Sequence, residues 1–135
     1  MVNSYLLDTS TIINLFRGKK AEQKLLESLE GERTSSFVCM AELYEGVERS
    51  KNKEEEEDNL VKFFSRLDNV FTVDNDTAKK FGEIRSTLKK TGNVIEDMDI
   101  LIAATCIAYD QILITNNQKH FSRIPDLKIH TNSAT

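Results

Sequence analysis

The chain has 135 residues, which fits one domain, and its 39% of hydrophobic residues is enough for a hydrophobic core of its own. Its longest apolar run is too short to cross a bilayer and its first residues form no charged leader with a cleavage site, so we expect a cytoplasmic protein with no membrane partner. The net charge of −4 does not indicate general nucleic-acid binding, although it leaves room for a local basic rim around a site.

The first half of the sequence predicts strands and helices in alternation. Residues 2–7 form an apolar run of strand length, which ends at the polar turn Asp8-Thr9-Ser10. This turn offers N-cap residues for a first helix, which Gly18 ends. The elements that follow are a helix over 21–29, a strand over 34–38, a helix over about 40–47 and an amphipathic helix over 53–67.

The second half of the sequence continues this alternation. A third strand is predicted over residues 70–73, and the cap sequence 75–77 begins a helix that Gly92 ends. The remaining predicted elements are a largely buried helix over 97–109, a fourth strand over 111–115, a polar loop over 116–119 and a short last strand over 126–131.

Strands that are apolar on both faces and alternate with helices are typical of a parallel sheet covered on both sides. No repeat, linker or low-complexity segment divides the sequence. We therefore predict an α/β fold in one domain over residues 1–135, with a central parallel sheet of about four to five strands flanked by helices on both faces.

Three acidic residues stand in apolar surroundings. Asp8 follows the first predicted strand, Glu42 comes shortly after the second, and Asp99 heads the most apolar stretch of the chain. Acidic residues are rarely fully buried unless they are paired or bind a metal. Ligands of open parallel sheets bind outside the carboxyl ends of the strands, so we expect these acids to converge there, together with Asn116 after the fourth strand.

Converging carboxylates favour the hard cations Mg²⁺ and Mn²⁺, which prefer oxygen ligands and often keep bound waters. Such a cation can lower the pKa of a water for attack on phosphorus and stabilise charge on a phosphodiester oxygen. We expect Asp8 and Asp99 to be direct ligands, while Glu42 is a ligand, possibly through water, or orients the attacking water. The side chains that could hold these carboxylates or waters in place are Ser10, Thr115 and Asn116.

Four segments together resemble the PIN-domain ribonucleases, and among them most closely the VapC toxins of type II toxin–antitoxin systems. These segments are residues 6–10, 40–46, 99–104, and 113–117 with His120-Phe121. Their order and spacing match the family over essentially the whole chain. The resemblance implies a PIN-like fold and a Mg²⁺- or Mn²⁺-dependent endoribonuclease of cellular RNA, often tRNA or rRNA. It also implies a homodimer that a cognate VapB-like antitoxin inhibits by occupying the cleft.

The resemblance implies that Asp8, Glu42 and Asp99 are the catalytic, metal-binding core. The family often has a fourth acidic residue after the last motif strand, in places where this sequence has Asn116 and His120. The fourth ligand therefore stays open. His120 is a candidate ligand, acid or phosphate contact, or has no role, and Asp97 is a candidate source of the missing charge from the same turn as Asp99.

Simpler interpretations exist for each acid. Asp8 and Asp99 could be helix caps, and Glu42 could be an exposed helix residue with Glu45 as the competing candidate one turn later. Phosphoaspartyl chemistry on Asp8 would need a second carboxylate beside it and a lysine after a later strand, where the chain has Asn116. The remaining alternative is a catalytically decayed PIN-like module that binds RNA or protein.

Overall fold

The computed structural model describes residues 2–130 of the chain. Its sheet strands are β1 (Asn3–Leu7), β2 (Gly31–Ser36), β3 (Asn69–Phe71) and β4 (Ile112–Ile114). All of them pair in parallel, in the order β3-β2-β1-β4. The predicted α/β fold with a parallel sheet of four strands is confirmed.

Helices connect these strands and cover the sheet. They are α1 (Thr9–Phe16), α2 (Lys20–Ser28), α3 (Phe37–Glu48), α4 (Lys53–Ser65), α5 (Asn75–Lys90), α6 (Asp97–Ala108) and α7 (Gln118–Phe121). Among the described residues, no helix is long and apolar enough to cross a membrane.

The sheet separates two apolar clusters because successive side chains of a strand point to opposite faces. Leu6 of β1 packs in a cluster that is built mainly from α5 and α6. Its neighbours Tyr5 and Leu7 pack in a second cluster with Ile12 of α1 and Leu60 of α4. The central strand thereby joins both layers and has a buried carboxyl end.

The first correction to the predicted elements concerns the boundary between β2 and α3. A strand was expected over 34–38, but β2 ends at Ser36, and Phe37 already begins the helix. The Ser36 hydroxyl accepts a hydrogen bond from the Cys39 amide at 3.2 Å, which is the N-cap arrangement. The apolar residues 37 and 38 predict a continued strand, but the N-cap hydrogen bond of Ser36 begins the helix before them.

Further corrections concern α5 and the end of the described chain. Asp74, not the sequence 75–77, caps α5, because its Oδ1 accepts from the Thr77 amide at 3.0 Å. The polar loop expected over 116–119 contains the start of the short helix α7. In place of the strand expected over 126–131, the described residues form a single parallel bridge between Leu113 and Ile129, and Thr131 lies outside them.

Candidate active site

Asp8 occupies the N-cap position of α1 at the carboxyl end of β1, and only 4% of the residue is exposed. Its side chain makes no capping hydrogen bond. Instead, its Oδ2 accepts hydrogen bonds from Thr115 Oγ1 at 2.7 Å and from Ser10 Oγ at 3.2 Å. The helix-cap interpretation of Asp8 is therefore wrong, and the carboxylate is held at the sheet edge by two hydroxyls.

Burial raises the pKa of the Asp8 carboxyl above its ordinary value. Hydrogen bonds from Thr115, the Thr9 amide and Ser10 offset part of this effect, while the negative charge of Asp99 adds to it. Asp8 and Asp99 are therefore near enough to repel each other when both are ionised. A cation bound between them would remove this repulsion.

Glu42 lies on α3 and is half-buried at the same edge of the sheet. Its Oε1 accepts a hydrogen bond from Thr9 Oγ1 at 2.7 Å. Burial is the main cause of its raised pKa, and the charges of Asp8, Asp99 and Glu96 raise it further. The three predicted acids come from three different elements, and the charges of Asp8 and Asp99 both act on Glu42.

Glu45, the competing candidate, faces solvent. It pairs with Arg49 one turn later on α3, with 3.6 Å between Arg49 Nη1 and Glu45 Oε1. Both side chains are largely exposed, so this pair contributes little to stability. Of the two candidates Glu42 and Glu45, Glu42 is the one whose carboxylate reaches the sheet edge, at Thr9.

Asp99 lies in the first turn of α6, where Glu96 occupies the N-cap position. Its Oδ2 is 2.9 Å from Nε2 of His120, at the end of α7. The two side chains are partly accessible, at 22% for Asp99 and 29% for His120. His120 therefore contacts one of the predicted metal ligands directly.

Asp97 does not supply the missing charge in the way that the sequence suggested. Its Oδ1 accepts from Arg85 Nε of α5 at 2.9 Å, in an ion pair on the exposed surface. Besides Asp99, Glu96 is a second acid of this turn whose charge acts on Glu42, and sequence reasoning missed it. Its spacing of three residues from Asp99, which puts both on one helix face, was the available signal.

The segment after β4 completes the support of Asp8. Thr115 Oγ1 donates to Asp8 and accepts from the Asn117 amide at 3.0 Å, so the direction of its hydrogen bond is fixed. The Asn116 amide donates to Ser10 Oγ at 3.2 Å. Ser10 and Thr115 thus contact the carboxylate as expected, whereas Asn116 acts through its backbone and not through its exposed side chain.

The donors of the pocket fit a small, hydrated divalent cation. Within residues 2–130, no three His, Cys, Asp or Glu side chains stand close enough to enclose an ion together. Mg²⁺ does not need such an enclosure, because proteins usually bind it through one or two carboxylates and leave the remaining positions to water. Asp8 and Asp99, whose charges act on each other, offer two carboxylates with oxygen ligands of the right hardness.

Comparisons with known proteins cover nearly the whole chain. A family model described as the PIN domain matches residues 5–127. Ribonuclease VapC2 of Rickettsia felis is 36% identical over 126 residues, which are 91% of this chain and 93% of the relative. Ribonuclease VapC1 of Methanocaldococcus jannaschii is 34% identical over 93% of this chain and 85% of the relative.

Solved structures give the same picture. The crystal structure of VapBC2 from Rickettsia felis, bound to a DNA fragment from its promoter, matches with a TM-score of 0.87 and 33% identity, covering 94% of this chain and 97% of that one. The structure of VapBC-1 from nontypeable Haemophilus influenzae matches with a TM-score of 0.84 and 31% identity, covering 94% and 96%.

Proposed function

The chain belongs to the PIN-domain family, and from this premise we propose that it is an endoribonuclease of the VapC type that hydrolyses phosphodiester bonds of cellular RNA. The main support for the proposal is that Asp8 and Glu42 lie at the carboxyl edge of the sheet, where the charges of Asp8 and Asp99 raise the pKa of Glu42. The relatives to which the chain is similar are named ribonucleases. We propose tRNA or rRNA as the substrate class, and a single nuclease domain over residues 1–135.

Asp8 and Asp99 are the proposed ligands of a Mg²⁺ or Mn²⁺ ion, and Glu42 acts beside them. A divalent cation supplies two things in such a site: it neutralises the acids, and it lowers the pKa of the attacking water. Glu42 is fixed by a hydrogen bond from Thr9, and burial raises its pKa, which suits a group that orients the attacking water. Ser10 and Thr115 keep Asp8 in place throughout.

The direct test is cleavage of purified tRNA and rRNA by protein that EDTA has stripped of metal. We expect cleavage only after Mn²⁺ or Mg²⁺ is added, and a loss of about a hundredfold or more in Asp8→Asn and Asp99→Asn. Asp97→Asn is the matched control, because it makes the same change two residues from Asp99 on a carboxylate that pairs with Arg85. Cleavage that survives both Asp8→Asn and Asp99→Asn would contradict the proposed site.

The alternative is a catalytically decayed module that binds RNA or protein without cutting. Two observations favour it: His120 stands where the family often has a fourth acid, and no three ligating side chains enclose an ion among the described residues. A decayed module would retard intact RNA in a gel-shift experiment, with or without EDTA, and would leave it uncut. The nuclease proposal predicts products instead.

We also propose a cytoplasmic location, a homodimer and a VapB-like antitoxin as the inhibitory partner. The support is that this chain is similar to VapBC crystal structures, which contain toxin–antitoxin complexes. Expression of this chain alone should arrest bacterial growth, and co-expression of the small protein encoded beside it should relieve the arrest. Growth at the normal rate despite soluble, folded protein would count against the toxin role.

A further inference from the structure

His120 makes a contact with Asp99 whose role the nuclease proposal leaves open. Nε2 of His120 lies 2.9 Å from Oδ2 of Asp99, a normal hydrogen-bond length. An ionised carboxylate can only accept, so the imidazole must donate from Nε2. The contact is therefore directional, and it places a donor where the family often places another acid.

The hydrogen bonds on the two proposed ligands follow one pattern. Thr115 and Ser10 donate to Oδ2 of Asp8, and His120 donates to Oδ2 of Asp99. Among the described residues, no side chain donates to Oδ1 of either acid. The side-chain donors thus anchor each carboxylate at its Oδ2, and the Thr9 backbone amide also donates to Asp8.

A single segment carries both anchors. Thr115 begins it and holds Asp8, while His120 lies five residues later and holds Asp99. The segment is rigid between these points: the Asn117 amide binds Thr115 Oγ1 at 3.0 Å, and the His120 amide binds the Asn117 carbonyl at 3.1 Å. Phe121 is fully buried and fixes the far end in the core.

We propose that His120 is a positioning residue, which orients the Asp99 carboxylate toward the cation through its Nε2–H donor. The proposal rests on the proposed nuclease function and deepens it. Because Thr115 holds Asp8 and His120 holds Asp99, the segment from Thr115 to Phe121 sets the geometry between the two ligands. The segment does so without contributing a ligand itself. The proposal also gives a role to the hydrogen-bond donor that stands at the place of a fourth acid.

The test compares two amides that differ only in reach. A glutamine can place its amide nitrogen near the position of histidine Nε2, whereas an asparagine nitrogen reaches only as far as Nδ1. In calorimetric titrations with Mn²⁺, we expect His120→Asn to bind about ten- to a hundredfold more weakly than the parent, the usual cost of losing a partner of a ligating carboxylate. His120→Gln should bind with an affinity close to that of the parent.

Two controls separate positioning from damage to the fold. Both variants should keep the thermal midpoint of the metal-free parent, which a merely structural role would not allow for His120→Asn. His130→Gln makes the same chemical change at a histidine that stacks edge-on against Tyr5 with ring centroids 6.1 Å apart, and it should leave Mn²⁺ affinity unchanged.

Equal affinities for parent and His120→Asn would overturn the inference, as would an affinity of His120→Gln as low as that of His120→Asn. Asp8→Asn distinguishes this failure from failure of the proposed function. If Asp8→Asn loses Mn²⁺ binding while His120→Asn keeps it, only the role of His120 is wrong. If Asp8→Asn binds Mn²⁺ like the parent, the cation site itself is wrong and the role of His120 falls with it.

Discussion

Asp8 is a residue that folding alone would not select. It is almost fully buried, and burial raises its pKa, which means that its ionised form is poorly solvated. Hydroxyl donors compensate only part of that cost, and Asp99 increases it. Functional sites often hold such groups at the expense of stability.

This cost predicts how the stability of the metal-free protein depends on pH. The pKa of Asp8 is raised above its ordinary value of 3.8, so the unfolded chain loses this proton first as pH rises. The free energy of unfolding therefore falls as the pH rises from the unfolded pKa of Asp8 to its folded pKa. Above the folded pKa, the loss is complete. The pKa of Glu42 is raised above 4.5, so its ionisation also lowers the stability of the metal-free protein as the pH rises.

Asp8→Asn should consequently be more stable than the parent near neutral pH in EDTA, and this advantage should shrink toward the unfolded pKa of 3.8. Urea denaturation at several pH values measures the difference. The same experiment on Asp97→Asn serves as the control, because that carboxylate is exposed and paired with Arg85. An Asp8→Asn variant that is less stable than the parent near neutral pH would contradict the account.

Glu42 and Glu45 of α3 give a second residue-level prediction. If Glu42 orients the attacking water as proposed, Glu42→Gln should lower kcat by about a hundredfold, in the range of general-base loss. Glu45→Gln alters only the exposed pair with Arg49 and should retain the kcat of the parent. Initial cleavage rates at saturating RNA check both variants, and similar losses in the two would refute the assignment of Glu42.

At the scale of elements, the sequence predicts the order of strands and helices because hydrophobic period and turn residues are local signals. It misplaces boundaries where one side-chain hydrogen bond decides them. Ser36 ends β2 by capping α3, and Asp74 replaces the expected cap of α5. The helix α7 was missed because its four residues are held by the burial of Phe121, which is a tertiary effect.

The same distinction holds for the pocket. Its three central acids could be recognised from their apolar flanks and motif order. The hydroxyls of Ser10 and Thr115, which hold Asp8, could be recognised from their place just after strands. The contact of His120 with Asp99 and the engagement of Asp97 by Arg85 depend on how α7 and α5 pack. No local pattern encodes such packing, so the sequence left these roles open.

The pairing of β1 with β2 gives a prediction for one element. Gly31 has φ of +150°, and a Cβ atom there would lie 2.1 Å from the carbonyl oxygen of Asn3, its partner in the ladder. Gly31→Ala should therefore destabilise the protein by about 2 kcal/mol or more. Gly82→Ala is the control: its site in α5 is open, and we expect a gain of about 0.5–1 kcal/mol. Equal effects in urea denaturation would argue against this register.

At the scale of the whole molecule, the topology brings the acids together. The strand β1 lies between β2 and β4, so the residues after all three strands gather at one edge. The amide of Asp8 donates to the Ile114 carbonyl at 2.9 Å, which ties the ends of β1 and β4 directly. The acids are therefore brought together only when the sheet is assembled, and binding of a cation by them would be coupled to folding.

This coupling predicts that Mn²⁺ stabilises the folded protein. A ligand that binds only the native state at a free concentration a hundred times its Kd adds about 2.7 kcal/mol to the free energy of unfolding. The parent should show this gain in urea denaturation near neutral pH, and Asp99→Asn should show almost none. An equal gain in Asp99→Asn would mean that Mn²⁺ binds elsewhere.

The most direct test of the central claim is the rate of RNA cleavage as a function of Mn²⁺ concentration, measured beside the calorimetric binding curve of the same protein. We expect the two curves to have the same midpoint. We also expect Asp8→Asn and Asp99→Asn to show neither Mn²⁺-dependent cleavage nor Mn²⁺ binding. Cleavage that persists in EDTA, or that continues in either variant after Mn²⁺ binding is lost, would contradict the central claim.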